Sequence, residues 1–200
     1  MRERKRTRLI GFDYTTPGAY FITAVVKDRL CVFGDINGGS CSLNVYGYIV
    51  ADQWHWLHEQ YSYLTEDEFV VMPNHVHGII NIPDSVENGG AGNGRDRSLQ
   101  KIKSLSELVG AFKTTSSKRI HKSGLPSFRW QKSFYERIVR NDQELKRIQE
   151  YIHSNPLRWE RDIENSRDFN VGDGRDRSLQ KQSTGNRSVQ DYYDKIIAPG

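Results

Sequence analysis

The apolar positions of this chain change period several times, and each change marks an element. Residues 19–28, AYFITAVVKD, are dense in β-branched and aromatic side chains and predict a strand. The turn chemistry of 35–40, DINGGS, predicts a joint between two short strands. From Leu43 the apolar residues fall at Tyr46, Val50, Trp54, Leu57 and Tyr61. That helical spacing puts one stripe of 43–60 against a core. DEFVVMP, 67–73, reads as a buried strand stopped by Pro73, and HVHGIINIP, 75–83, as the next strand, ended by Pro83. The two-residue corner between them makes the two antiparallel neighbours.

A Gly-, Asn- and Ser-rich stretch, 84–98, reads as a loop insertion. Ser104-Leu-Ser-Glu107 is a capping-box pattern, and Leu105, Leu108, Val109, Phe112 and Ile120 give the helix behind it an apolar stripe. Residues 127–139, SFRWQKSFYERIV, read as a strand. Asn141-Asp-Gln-Glu144 caps a last helix with Leu145, Ile148 and Ile152 inward, and Asn155-Pro156 closes it. The order strand, helix, strand, strand, helix, strand predicts an α+β, ferredoxin-like antiparallel sheet with helices packed on it. Residues 1–160 then form one domain, and 161–200 a polar, flexible tail.

Composition narrows the class without fixing it. The 200 residues are 36% hydrophobic and 27% charged, with net charge +4, and mean hydropathy is -0.72. The basic excess is compatible with an acidic partner such as nucleic acid. Two cysteines, Cys31 and Cys41, form no CxxC, which excludes a zinc ribbon. No apolar run approaches a membrane span and no signal peptide opens the chain, so a cytoplasmic protein with no membrane partner is expected.

The candidate chemistry lies in VMPNHVHGII, 71–80. On a strand, residues i and i+2 share a face, so His75, His77 and Ile79 point one way and Val76, Ile80 and Ile82 the other. Two imidazoles so placed either converge on one metal ion or satisfy each other and their neighbours by hydrogen bonds. A site open beyond two imidazoles, completed by oxygen ligands, suits Mg²⁺ or Mn²⁺ facing a phosphate. On the last helix Tyr151 and Asn155 are four apart and stack on one face. A phenol beside a cation-bound phosphate can act as a nucleophile. The alternative reading makes Tyr151 a core aromatic and Asn155 a helix-end residue.

The blocks RLIGFDYTTPGAYFIT, CVFGDI, FVVMPNHVHGIINIP, LSELVGAFK and WQKSFYERIVRNDQELKRIQEYIHSNPLRW, in this order over 8–160, resemble the REP-associated tyrosine transposases. That family belongs to the HUH single-strand transposases and nucleases. The resemblance implies a ferredoxin-like fold and a divalent metal, Mg²⁺ or Mn²⁺, on His75, His77 and Asn155. It also implies that Tyr151 cleaves single-stranded DNA at repeat hairpins through a 5′-phosphotyrosine, freeing a 3′-OH, and can rejoin strands. A protein that holds hairpins without cutting them is the alternative. Monomer and homodimer both remain open.

Arg4, Lys5, Arg6 and Arg8 form a basic arm that is either a solvated terminus or a phosphate tracker. Lys113, Arg129, Lys132, Arg137 and Arg140 are further candidate phosphate contacts, of which Lys113 and Lys132 are preferred. Tyr135 reads as structural or DNA-contacting. Trp130 and Trp159 read as core residues that could instead stack on bases, and His55 and His58 as a helical pair with no third ligand. GNGRDRSLQK at 92–101 returns as GDGRDRSLQK at 172–181. At that separation it is no packed repeat unit, and it reads either as a translated copy of a short DNA repeat or as a short basic binding motif.

Overall fold

The computed structural model describes residues 16–85 and 102–161. The basic arm, both copies of the GRDRSLQK repeat, most of the loop insertion and the tail lie outside the described residues.

A four-stranded antiparallel sheet is built from β1 (Gly18–Val25), β4 (Phe69–Met72), β5 (His75–Ile82) and β6 (Tyr135–Val139). The spatial order is β4-β5-β1-β6, the ferredoxin-like arrangement the element order predicts. A separate hairpin, β2 (Gly34–Asn37) with β3 (Ser40–Leu43), turns at Gly38 and Gly39. Both glycines have positive φ, a region closed to most other residues.

Strand alternation divides the protein into two cores. One face of the sheet sends Tyr20, Ile22, Ala24, Val76, Ile80 and Ile82 towards α1 (Val45–Gln60) and α2 (Leu105–Lys122). The other face carries Phe21, Ile79 and Tyr135 and is covered by Ile148, Tyr151 and Ile152 of α3 (Asp142–Arg161). The helix starts follow from local chemistry. Asn44 accepts from the Tyr46 and Gly47 amides at the start of α1, and Ser104 with Glu107 closes the predicted capping box of α2. Gly78 sits in the strand because Trp54 lies on it: a Cβ there would meet the indole at 2.6 Å. Trp54 in turn stacks on Phe69 at 4.4 Å.

Two boundaries depart from the sequence reading. Residues 127–139 are not one strand. Trp130 makes an isolated bridge to Val26, and regular pairing begins only at Tyr135. The last helix does not end at Asn155-Pro156 but runs on to Arg161 with Pro156 inside it. Proline removes one N–H and crowds the carbonyl four residues back, a cost of about 3 kcal/mol in a helix interior. Contacts made beyond it oppose that cost: Arg158 lies over the Tyr151 ring at 5.5 Å, and Trp159 lies 5.6 Å from the His75 ring.

Candidate active site

The corner before β5 is held by backbone bonds. Val26 N–H donates to the Asn74 carbonyl at 2.8 Å, and the Val32 and Phe33 amides donate to the Pro73 carbonyl at 2.8 and 3.0 Å. The Asn74 amide nitrogen donates to the Arg29 carbonyl at 3.1 Å. Asp28 and Arg29 both adopt positive φ, 59° and 55°. Two consecutive non-glycine residues in that region store roughly 1 kcal/mol each or more, and here the strain aims a carbonyl at Asn74.

Asn74 passes that order on to His75. Its Oδ1, with the amide nitrogen already committed to Arg29, accepts from His75 Nδ1 at 2.7 Å. The proton therefore sits on Nδ1, and Nε2 offers a lone pair. His77 lies opposite Thr23 in the β1–β5 ladder, and Thr23 Oγ1 meets its Nδ1 at 2.9 Å. The Phe21 ring stacks against His77 at 5.4 Å and 26°. These contacts leave Nε2 of His75 and Nε2 of His77 facing each other at 3.0 Å.

Both rings are buried, His77 completely. Burial, joined by the positive charge of Arg29, pushes His75 down to about 3. Burial, joined by His75, pushes His77 well below the ordinary imidazole range. Both are neutral at pH 7, so in the metal-free protein one Nε2–H donates to the other ring. The Thr23 hydroxyl serves either tautomer of His77, donating to Nδ1 in one and accepting from it in the other.

This donor set fits a divalent cation. A separation of 3.0 Å matches adjacent corners of an octahedron with bonds of about 2.1 Å. The outer nitrogens are held by an amide and a hydroxyl, the kind of support that orients metal-binding histidines. No cluster of three His, Cys, Asp or Glu occurs among the described residues, so among these residues a further protein ligand is an amide or a phenol. Asn155 is the placed candidate. It is buried, its amide makes no hydrogen bond among the described residues, and it lies one turn beyond Tyr151 on the same helix face.

The Tyr151 phenol oxygen lies 3.5 Å from His77 Nε2, at the edge of hydrogen-bonding range. Its ring meets Phe21 edge-on at 6.1 Å and is 3% exposed. The start of α3 is fixed seven residues earlier. Arg137 on β6 gives Nε and Nη2 to Glu144 Oε1, each at 2.7 Å. Glu144 Oε2 accepts the Arg140 amide, and Asn141 Oδ1 caps the Glu144 amide, each at 2.9 Å. Gln149 fastens the same helix to Asp67 at 2.8 Å.

The structure thus brings His75, His77 and Tyr151 together, with Asn155 on the Tyr151 face. His153 points outward, as its offset from Tyr151 requires. Tyr135 is a buried aromatic beneath the site, 6.1 Å from Phe21. His55 and His58 do not converge: His55 meets Glu66 at 3.1 Å, and His58 Nδ1 donates to the Trp54 carbonyl. Lys113 donates to the Gln131 carbonyl at 2.6 Å and, more loosely, to those of Lys132 and Ser133. Lys132 is exposed. Arg4, Lys5, Arg6 and Arg8 lie outside the described residues. Sequence reasoning passed over Thr23, Asn74, Phe21, Arg29 and Arg158. Of these only Asn74 carried a local signal, its place between the corner proline and the first histidine.

The fold has a counterpart among known proteins. No family model matches the chain. A Haemophilus influenzae protein of uncharacterised function is 34% identical over 167 residues, 81% of this chain and 93% of the relative. A second protein from that organism, named "Putative REP-associated tyrosine transposase", is 25% identical over 146 residues, 73% of this chain and 74% of the relative. A solved structure of a REP-associated tyrosine transposase bound to a REP hairpin shares the fold. Its TM-score is 0.50 at 18% identity, over 92% of this chain and 100% of that one. In fold and sequence the chain resembles the REP-associated tyrosine transposases. Among the described residues no helix is long and apolar enough to cross a membrane.

Proposed function

We propose that this chain cleaves and rejoins single-stranded DNA at repeat hairpins, with Tyr151 as nucleophile and a divalent cation, Mg²⁺ or Mn²⁺, on His75, His77 and Asn155. The observation that carries this reading is the placement of the Tyr151 oxygen 3.5 Å from a ring nitrogen that itself faces a second imidazole at 3.0 Å. A bound cation would supply charge neutralisation at the scissile phosphate, which an isolated phenol with a pKa of about 10 lacks.

The chain's own residues do the rest. Asn74 and Thr23 hold the imidazoles with their Nε2 atoms turned to one point. Phe21 and Ile79 keep the floor dry, which strengthens every charge interaction made there. Tyr151 Oη forms a bond to phosphorus as the bond from phosphorus to the 3′ oxygen breaks. The phenol proton is released, and the departing oxygen takes one up to become a 3′-OH. The 5′-phosphotyrosine keeps the energy of the phosphodiester, so a 3′-OH of another strand can attack it and rejoin DNA without ATP. The solved relative was captured with a REP hairpin, which supports the same class of substrate here.

The test is a denaturing gel of labelled hairpins incubated with protein and Mg²⁺ or Mn²⁺. A metal-dependent protein–DNA adduct that Tyr151→Phe abolishes is expected. Hairpin binding with no adduct under any metal would replace this reading with a binding-only protein.

A further inference from the structure

Beyond Pro156 the helix α3 adds a further turn that carries Leu157, Arg158 and Trp159. The β2–β3 hairpin closes on that turn. A Cβ at Gly39 would collide with the Leu157 side chain, so glycine is what allows the approach. Arg158 and Trp159 then reach the two halves of the site. The Arg158 guanidinium lies over the Tyr151 ring, 5.5 Å from its centroid. The Trp159 indole lies 5.6 Å from the His75 imidazole, tilted by 44°.

Trp159 is unlike the other tryptophans of the chain. Trp54 and Trp130 belong to the larger core, 2% and 9% exposed, and Trp56 packs against it. Trp159 is partly exposed and belongs to neither core. Its N–H makes no hydrogen bond among the described residues. An indole stabilises a fold most when its whole surface leaves water. This one is held at the rim of a polar site, where a flat apolar partner can cover what remains open. Nucleobases are such partners, since every base has a π face, and they stack on aromatic side chains with little regard to sequence.

Arg158 supplies the complementary chemistry. It is exposed and makes no ion pair among the described residues. A guanidinium pairs with phosphate through two parallel N–H bonds, and this one waits at the face of the ring whose oxygen is the proposed nucleophile. Arg158 and Trp159 are neighbours in the chain, their Cα atoms about 3.8 Å apart. The phosphate and the base of one nucleotide can therefore meet both.

We propose that the turn beyond Pro156 is a nucleotide clamp, in which Trp159 stacks on the base next to the scissile phosphate while Arg158 pairs with that phosphate. The proposal rests on the reading that Tyr151 cuts single-stranded DNA. The test uses the full chain in a Tyr151→Phe background with Mn²⁺, and reads binding by fluorescence anisotropy over a salt series. One labelled probe is a run of about 12 thymidines, within the size range of single-strand sites. The other is an abasic phosphodiester strand of the same length, with the same charge and no bases. Trp159→Ala should bind the thymidine probe about 5- to 150-fold more weakly and the abasic probe as before, and Trp159→Phe should keep most of the thymidine affinity. Arg158→Gln should weaken binding to both probes, with a log–log salt slope shallower by about 0.7. Equal affinity of the Tyr151→Phe parent for the two probes, or none for either, overturns the proposal. So does an equal loss on both probes in Trp159→Ala, which would make the indole a packing residue of His75, or an unchanged slope in Arg158→Gln. If the chain with Tyr151 intact forms no adduct while Trp159→Ala shows the base-dependent loss, the cleavage reading fails and the clamp stands.

Discussion

Thr23 and His77 face each other across the β1–β5 ladder with Oγ1 and Nδ1 2.9 Å apart. This hydroxyl holds the outer nitrogen of a completely buried imidazole. Thr23→Val keeps the shape and removes the bond. Losing such support costs metal sites about 10- to 100-fold in affinity, and calorimetric titration with Mn²⁺ should show a loss of that order. Unchanged affinity would mean that strand geometry alone aims the ring.

Glu144 gives a pH dependence whose sign is fixed. Burial pushes its carboxyl up, but the Arg140 amide and the Arg137 guanidinium outweigh burial and hold it below its ordinary 4.5. A carboxyl lowered by folding contributes stability that is fully present above the unfolded value and is lost as pH falls through the folded one. Thermal unfolding should therefore show the melting temperature falling below about pH 4.5. Glu144→Gln should cost about 2 kcal/mol at pH 7 and flatten part of that fall. Because the pair anchors α3 two turns before Tyr151, the variant should also form less adduct at neutral pH. An E144Q protein with the wild-type pH profile would contradict this.

Gly78 is bare because Trp54 occupies the space a side chain would need, with two indole carbons 2.6 Å from the ideal Cβ. The indole is clamped by Phe69 on one side and meets Phe112 edge-on at 5.6 Å. Gly78→Ala should destabilise by about 1–3 kcal/mol, the usual result of overpacking, in denaturant unfolding. A neutral result would show that Trp54 can move aside.

Ser104 provides a control remote from the histidine pair. Its hydroxyl accepts the Glu107 amide, and Glu107 accepts the Ser104 amide in return. Ser104→Ala should lower stability by about 1 kcal/mol and leave adduct formation per folded molecule unchanged.

These residues also mark how far sequence could be read. His75 and His77 were legible as a same-face pair because strand period is local, and Ser104-Glu107 because a capping box is local. Thr23 was not, since its meeting with His77 depends on register between strands 54 residues apart. The strand that local pattern predicts over 127–139 is longer than the one that forms, Tyr135–Val139. Trp130 instead packs with Phe33, Phe112 and Phe128. Pro156 was read as a stop because the rule counts a lost backbone bond. It does not count the ring contacts of Arg158 and Trp159 that carry the helix past it to the site.

The measurement that bears most directly on the whole account is the adduct assay on wild type, Tyr151→Phe and His77→Ala, with and without Mn²⁺. A covalent band in wild type with Mn²⁺, absent without metal and absent in both variants, is the predicted result. A band that persists in Tyr151→Phe would contradict the assignment of the nucleophile, and one that persists in His77→Ala would contradict the metal centre built around the facing imidazoles.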